Sequence, residues 1–134
     1  MKSDLESALL TIGRIGLASL FLLGGAQKVV RYEATLDMMR EAGMPAVELL
    51  LPLVIVLEGV GGTLIAFAGP VASLAAVVLM AHTLLINLIF HDFWSMSGDR
   101  AVLGAALFFK NVSIAGALLF VAVVLDRWRY GERK

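Results

Sequence analysis

The sequence has no cysteine, and this absence removes several classes of chemistry at once. Disulfides, dithiol exchange, thiolate catalysis and cysteine-ligated iron–sulfur clusters all need that residue. Charge is also scarce, since 16% of the residues are charged and the 11 basic and 11 acidic residues cancel. Without a basic field, nucleic-acid binding is not expected. Apolar residues make up 60% of the chain, against about 45–50% in soluble domains, and this composition predicts a membrane protein.

Four apolar runs are long enough to cross a bilayer, because a helix of about 20 residues spans its hydrocarbon core. They cover about residues 8–30, 46–69, 71–90 and 101–125. The first run is too long for a signal peptide and lacks an A-x-A cleavage site, so we expect it to be retained. The sequence therefore predicts an all-α fold: a single domain over residues 1–134, built as a polytopic membrane four-helix bundle.

The polar stretch between the first two runs, residues 31–45, predicts a short helix at the membrane surface. A narrow apolar stripe runs along it, and Gly43 followed by Pro45 is a helix-stop signature. Four spans place both termini on one side. Six basic residues lie on that side and four on the other, which favours cytoplasmic termini by the positive-inside rule.

Polar residues inside the spans are the candidate site. Counted from the side opposite the termini, Glu58, His82, Lys110 and Asn111 lie at similar depths on three spans. Such groups are costly in lipid, so we expect them to face one another in the bundle interior. We predict that Glu58 pairs with Lys110 and that His82 and Asn111 complete the network. A pair that only fixes helix register is an equally weighted interpretation.

Two further cationic residues lie near opposite ends of the first span. Lys28, near its C-terminal end, either extends to the headgroups or lines the mouth of a polar cavity that leads to Glu58. Arg14 and Asp126 fall at the terminal-side boundary and are predicted to form a structural pair. No metal site is predicted, because no E-x-x-H or H-E-x-x-H spacing is present. On one helix, His82 and His91 would point to opposite faces, so a shared haem is not expected unless His91 lies beyond the helix end.

Short motifs recur in order along the four spans: Gly25-x-x-Lys28, Gly43-Met44-Pro45, Glu58-x-x-Gly61-Gly62, His82, and Asn111 with Gly116. In this order and spacing, over about residues 9–119, the chain resembles the DoxX family of small four-helix bacterial membrane proteins. The resemblance implies a cytoplasmic (inner) membrane location and a four-helix bundle. Members are named as quinol-oxidase or thiosulfate:quinone oxidoreductase subunits, or as uncharacterised membrane proteins linked to redox or stress physiology, and the resemblance implies a loose quinone connection. The ending Leu125-Asp126-Arg127-Trp128 departs from the Ser-Leu-Asp-like tail of many members.

Three functional hypotheses follow. The first is a redox- or quinone-associated accessory subunit, whose polar pocket at Glu58, His82, Lys110, Asn111 and Lys28 meets a quinone or quinol headgroup. Electron transfer would then need the cofactor of a partner oxidoreductase subunit, since no self-contained catalytic or redox centre can be built here. The second is a transport module for a small solute or a proton, which would require oligomerisation. The third is a purely structural or assembly subunit. A homo-oligomer or hetero-complex in the lipid bilayer is expected in each case.

Overall fold

The computed structural model describes residues 2–131, with side chains over residues 4–127, and consists there of helices and their connections. In chain order, the helices are α1 Lys2–Val30, α2 Tyr32–Glu41, α3 Val47–Ala66, α4 Ala72–Phe90, a 3₁₀ turn Phe93–Ser95, and α5 Asp99–Gly131. Four segments are long and apolar enough to cross a membrane: Asp4–Val30, Val47–Ala66, Ala72–Ser95 and Asp99–Arg127. The predicted all-α membrane bundle with a short helix between the first two spans is confirmed.

Two helix ends show how local chemistry sets these boundaries. Gly43 ends α2 with a φ of 70°, and the next amide, of Met44, donates to Met39 O. This is the left-handed termination that the Gly43–Pro45 signature predicts. At the end of α3 the same geometry occurs with Ala68, at a φ of 51°, and Gly69 N donates to Leu64 O. The helix therefore ends at Ala66, three residues before the predicted boundary.

The four long helices form a closed ring. α1 packs against α3, α4 against α5, and the ring closes through the α3–α4 and α1–α5 contacts. No Cα atoms of the described parts of α3 and α5 lie within 8 Å of each other, so these two helices occupy diagonal corners. Every long helix contributes to the shared apolar core, through Ala18, Phe21, Ile65, Ala76, Leu79, Leu118 and Ala122.

The short helix α2 packs against the beginning of α3. Leu36 and Met39 pack against Val47 and Leu51 in a second apolar cluster. Outside this cluster, Arg40 donates to Asp37 at 2.9 Å and to Glu48 at 2.8 Å. The hydrogen bond to Glu48 is the main reason that the pKa of Arg40 is raised above its ordinary value, and the hydrogen bond to Asp37 adds to it. The polar face of α2 thus lies outward and its apolar stripe covers the end of the bundle.

Candidate functional site

A carboxylate with two partners, an ammonium group and an imidazole, lies inside the bundle. Glu58, on α3, is 5% exposed. Its oxygens accept hydrogen bonds from Lys28 Nζ at 2.9 Å and 2.8 Å, and His82 Nε2 lies 3.2 Å from Oε1. Lys28 comes from α1 and His82 from α4, so three helices meet at one carboxylate. We call these three residues the Glu58 cluster.

Glycines on α1 make room for Glu58. A Cβ atom at Gly24 would lie 3.2 Å from Glu58 Oε2, and one at Gly25 would lie 3.5 Å from Glu58 Cβ. On α3 itself, Gly61 lies against Leu79 of α4, and a Cβ atom added to Gly61 would lie 3.0 Å from the Leu79 side chain. Small residues that allow such close approach are a common means of packing helices in membranes. The glycines one turn from Glu58 therefore bring its neighbours within hydrogen-bonding distance.

The direction of the Lys28 side chain decides between the two interpretations of this residue. Its Nζ lies 3.5 Å from Gly24 O, one turn back along α1, and does not extend towards the headgroups beyond Val30. Side chains on a helix lean towards its N-terminus, which for α1 means towards the bilayer interior. The headgroup interpretation is therefore wrong, and Lys28 is itself the cation that pairs with Glu58.

The predicted pairing of Glu58 with Lys110 is wrong. Lys110 is exposed on α5, within electrostatic reach of His91 at the end of α4. Two facts explain this position. α3 and α5 lie at diagonal corners, so a residue of α5 does not face Glu58. In addition, the buried positions of α5 follow the helical repeat Gly104, Ala115, Leu118, Ala122, Leu125. Lys110 lies off that stripe.

Asn111 belongs to a separate polar contact between α4 and α5. Its amide nitrogen donates to Asn87 Oδ1 at 3.1 Å, and the Asn87 amide donates to Phe108 O at 3.1 Å. The prediction that Asn111 completes the network of Glu58 is therefore wrong. Asn87 is 1% exposed, and it is the buried polar residue that the candidate site omitted. Its spacing of four residues from the buried Thr83 on an apolar helix was the available signal.

The predicted Arg14–Asp126 pair does not form. In the described part of the chain no ion pair joins these residues, and Arg14 Nε is a buried nitrogen without a hydrogen-bond partner. Arg14 nevertheless faces α5 across a cleft whose lining includes Leu125. Asp126 follows Leu125, which is buried, so the aspartate is turned outward on the helix and is exposed.

An apolar groove of about 370 Å³ runs along the outer side of α3 and α4. The groove is lined by Leu53, Val56, Leu57, Val60, Gly61, Leu64, Val71, Leu74, Ala75 and Val78. Leu57 directly precedes Glu58, and Val78 lies one turn before His82. We call it the α3–α4 groove. It extends from the level of the Glu58 cluster towards the turn between the two helices. Among the described residues no group of three histidine, cysteine or acidic side chains is placed to hold a metal ion.

Comparison with known proteins places the chain in a family. The model of the DoxX family matches residues 9–92, which is more than half of the sequence. The chain belongs to the DoxX family. It is 33% identical to the inner membrane protein YphA of Escherichia coli over 86% of this chain and 81% of that protein. It is also 33% identical to the inner membrane protein YqjF of the same organism, over 89% and 85%. No solved structure matches this DoxX protein significantly.

The comparisons and the fold together make this DoxX protein an integral inner-membrane protein, as predicted. The DoxX match runs from α1 to just beyond α4 and so includes all members of the Glu58 cluster. Asn111 and Gly116, on α5, lie outside it.

The Glu58 cluster has capacity left for a ligand. Of the hydrogen bonds in the described part of the chain, His82 takes part in one, through Nε2, which leaves its Nδ1 available. The Lys28 side chain is 24% exposed, so the cluster reaches the edge of the core at this residue. The cluster can therefore offer N–H donors, a carboxylate acceptor and a second imidazole nitrogen at one point. These are the requirements for binding a polar headgroup and for moving a proton to or from it.

Proposed function

We propose that this DoxX protein is a redox-associated accessory subunit that binds a quinone or quinol at the Glu58 cluster. One observation carries the proposal: an ammonium group and an imidazole from separate helices converge on one buried carboxylate, and an apolar groove lies along the same two helices that carry Glu58 and His82. Small-molecule sites commonly combine apolar walls with a few convergent polar groups. A quinone has the matching shape, with a polar ring and an apolar tail.

The chemistry of the ring fits the members of the cluster. A quinone carbonyl accepts hydrogen bonds, which Lys28 and His82 can donate. A quinol hydroxyl donates, and the Glu58 carboxylate or His82 Nδ1 can accept its proton. The electrons of quinol oxidation would pass to the redox cofactor of a partner oxidoreductase subunit. The role of this chain would be to bind the headgroup and to handle its protons.

The α3–α4 groove supports the tail half of the proposal. All ten residues that line it are apolar or glycine. Several of them, such as Val60 at 54% and Leu74 at 61%, are exposed at the surface that faces lipid. An isoprenoid chain could therefore enter the groove sideways from the bilayer without leaving an apolar environment.

The test is thermal protection of the purified full chain in detergent by decylubiquinone, with Glu58→Gln as the variant. At a quinone concentration of about 100 Kd, ligand linkage stabilises a protein by about 2.7 kcal/mol. For a chain of this size we expect a rise in Tm of roughly 5–10 °C. Glu58→Gln should lose most of that rise, because the carboxylate that orients both donors is gone. Glu48→Gln, on the exposed first turn of the same helix, is the matched control and should retain it.

The tail is tested separately. Val60→Trp would partly fill the α3–α4 groove. It should weaken protection by a long-chain quinone and leave protection by a ring without a tail unchanged. Protection that is absent in the wild type, or equal in Glu58→Gln and Glu48→Gln, would refute quinone binding at this site. Solute uptake into proteoliposomes that is lost in Glu58→Gln would favour a transport module. Retained cellular function in a Lys28→Met/Glu58→Gln double variant would favour a structural subunit.

A further inference from the structure

A second candidate site lies at the other end of the bundle, in a cleft between α1 and α5. Its one charged residue is Arg14, and its other lining residues are Leu10, Phe120, Val121, Val124 and Leu125. The cleft has a volume of about 30 Å³. Phe120 is 65% exposed, so the cleft opens onto the surface that faces lipid.

Arg14 lacks the partner that a buried guanidinium nitrogen requires. Its Nε is inaccessible and forms no hydrogen bond in the described part of the chain. Nε itself has no space for an added atom, but no hydrogen bond or ion pair among the described residues engages the other two guanidinium nitrogens either. The charge of Arg14 therefore lacks a partner in an apolar cleft. A water molecule in the cleft would find only Arg14 as a polar partner, and ordered waters usually need two or more. An anionic oxygen at the other two guanidinium nitrogens suits the position better, because a single charge-assisted hydrogen bond is strong.

The depth of Arg14 indicates where that anion comes from. Arg14 lies six residues inside the apolar part of α1, which begins at about Ala8, or roughly 9 Å along the helix. Its side chain leans towards the N-terminus of α1 and so brings the guanidinium close to the headgroup level of the terminal-side leaflet. Phosphate groups lie at this level, directly above acyl chains that could contact the apolar wall of the cleft.

We propose that Arg14 and the α1–α5 cleft bind the phosphate of an anionic phospholipid, with an acyl chain along Phe120 and Val124. The lipid would join α1 to α5, the two helices that the predicted Arg14–Asp126 pair was expected to join. No ion pair among the described residues joins Arg14 to a carboxylate, which favours a headgroup with net negative charge over a zwitterionic one. This proposal is independent of quinone binding, since it involves none of the Glu58 cluster.

The experiment measures binding of phosphatidylglycerol to the delipidated full chain in detergent, by native mass spectrometry of lipid adducts. Arg14→Gln should raise the half-saturating lipid concentration about tenfold or more, as expected for loss of one charge-assisted hydrogen bond. Arg127→Gln removes the same charge at the same end of the bundle, from an exposed position outside the cleft. It is the matched control and should change the half-saturating lipid concentration less than twofold. Arg14→Lys keeps the charge but loses the paired N–H donors of the guanidinium, so its half-saturating concentration should fall between the other two. It also provides a test if Arg14→Gln does not fold.

Three results would overturn the proposal. Equal losses in Arg14→Gln and Arg127→Gln would indicate general surface attraction. Binding of phosphatidylcholine as tight as that of phosphatidylglycerol would show that the net charge of the headgroup does not determine binding. Competition by soluble glycerol phosphate as effective as that by the lipid would show a site for free phosphate and not for a phospholipid.

Discussion

Replacing Lys28 with methionine should destabilise the bundle more than replacing Lys28 and Glu58 together. The single change leaves the Glu58 carboxylate buried at 5% exposure, with His82 as its remaining partner. The double change to Lys28→Met/Glu58→Gln removes the stranded charge and keeps an amide that can still bond His82. A buried charge without its partner is costly, whereas a buried pair exchanged for neutral groups is often nearly neutral.

The magnitude follows from the burial of the two partners. Breaking a fully buried pair costs about 3–5 kcal/mol. Lys28 retains 24% side-chain exposure, so its attraction for Glu58 is partly screened, and we expect about 2–4 kcal/mol for Lys28→Met. Glu58→Gln should cost less than Lys28→Met, because a partly exposed lysine can turn to the headgroups when its partner is lost. The double variant should lie within about 1 kcal/mol of the wild type.

The assay is a double-mutant cycle on the purified protein in one detergent, read as the free energy of unfolding where unfolding is reversible, and otherwise as Tm. Lys28→Met should lower Tm by roughly 10 °C. The exposed Arg40–Glu48 pair supplies a control cycle, in which no measurable coupling is expected. Lys110→Met is a second control, since Lys110 is exposed and forms no described ion pair. A double variant as unstable as Lys28→Met, or a larger loss in Lys110→Met, would show that the reasoning about the pair is wrong.

Two further predictions concern packing and hydrogen bonding away from the cluster. Gly62→Ala should destabilise by about 1–2 kcal/mol, because its Cβ would lie 3.0 Å from Leu22 and 3.2 Å from a backbone oxygen. Gly59→Ala on the same helix meets open space and should be neutral or slightly stabilising; similar Tm changes in the two variants would contradict the packing argument. Asn87→Leu should cost about 0.5–2 kcal/mol, because it leaves the Asn111 amide without its acceptor. Adding Asn111→Leu should recover part of that loss in the same thermal assay, and a further loss would count against the contact.

The sequence was sufficient for the architecture and for part of the site. Length and apolarity predicted the four spans, and Gly43 with Pro45 predicted the end of the surface helix. A glutamate within an apolar run had to face inward, and the glycines one turn away marked the face on which it packs. The choice of partner was not predictable from depth. Depth arranges residues along the membrane normal, and the neighbour of Glu58 depends on the order of helices around the ring. In the structure the backbone of α3 closely approaches those of α1 and α4 but not that of α5, so Lys28 and His82 are within reach of Glu58 and Lys110 is not.

Helix direction explains why one lysine enters the core and the other does not. Lys28 and Lys110 are on helices that run in opposite directions, since α1 leaves the terminal side of the membrane and α5 returns to it. Side chains lean towards the N-terminus of their own helix. The lysine of α1 therefore leans into the bilayer, where its Nζ lies beside Gly24 O and Glu58. The lysine of α5 leans towards the opposite surface, where it comes within electrostatic reach of His91. A cation near the C-terminal end of a helix that leaves the terminal side of the membrane is thus directed towards buried acids. A cation in the first half of a helix that returns to that side is directed towards headgroups. By this rule, the four spans of this DoxX protein favour Lys28 over Lys110 as the partner of Glu58.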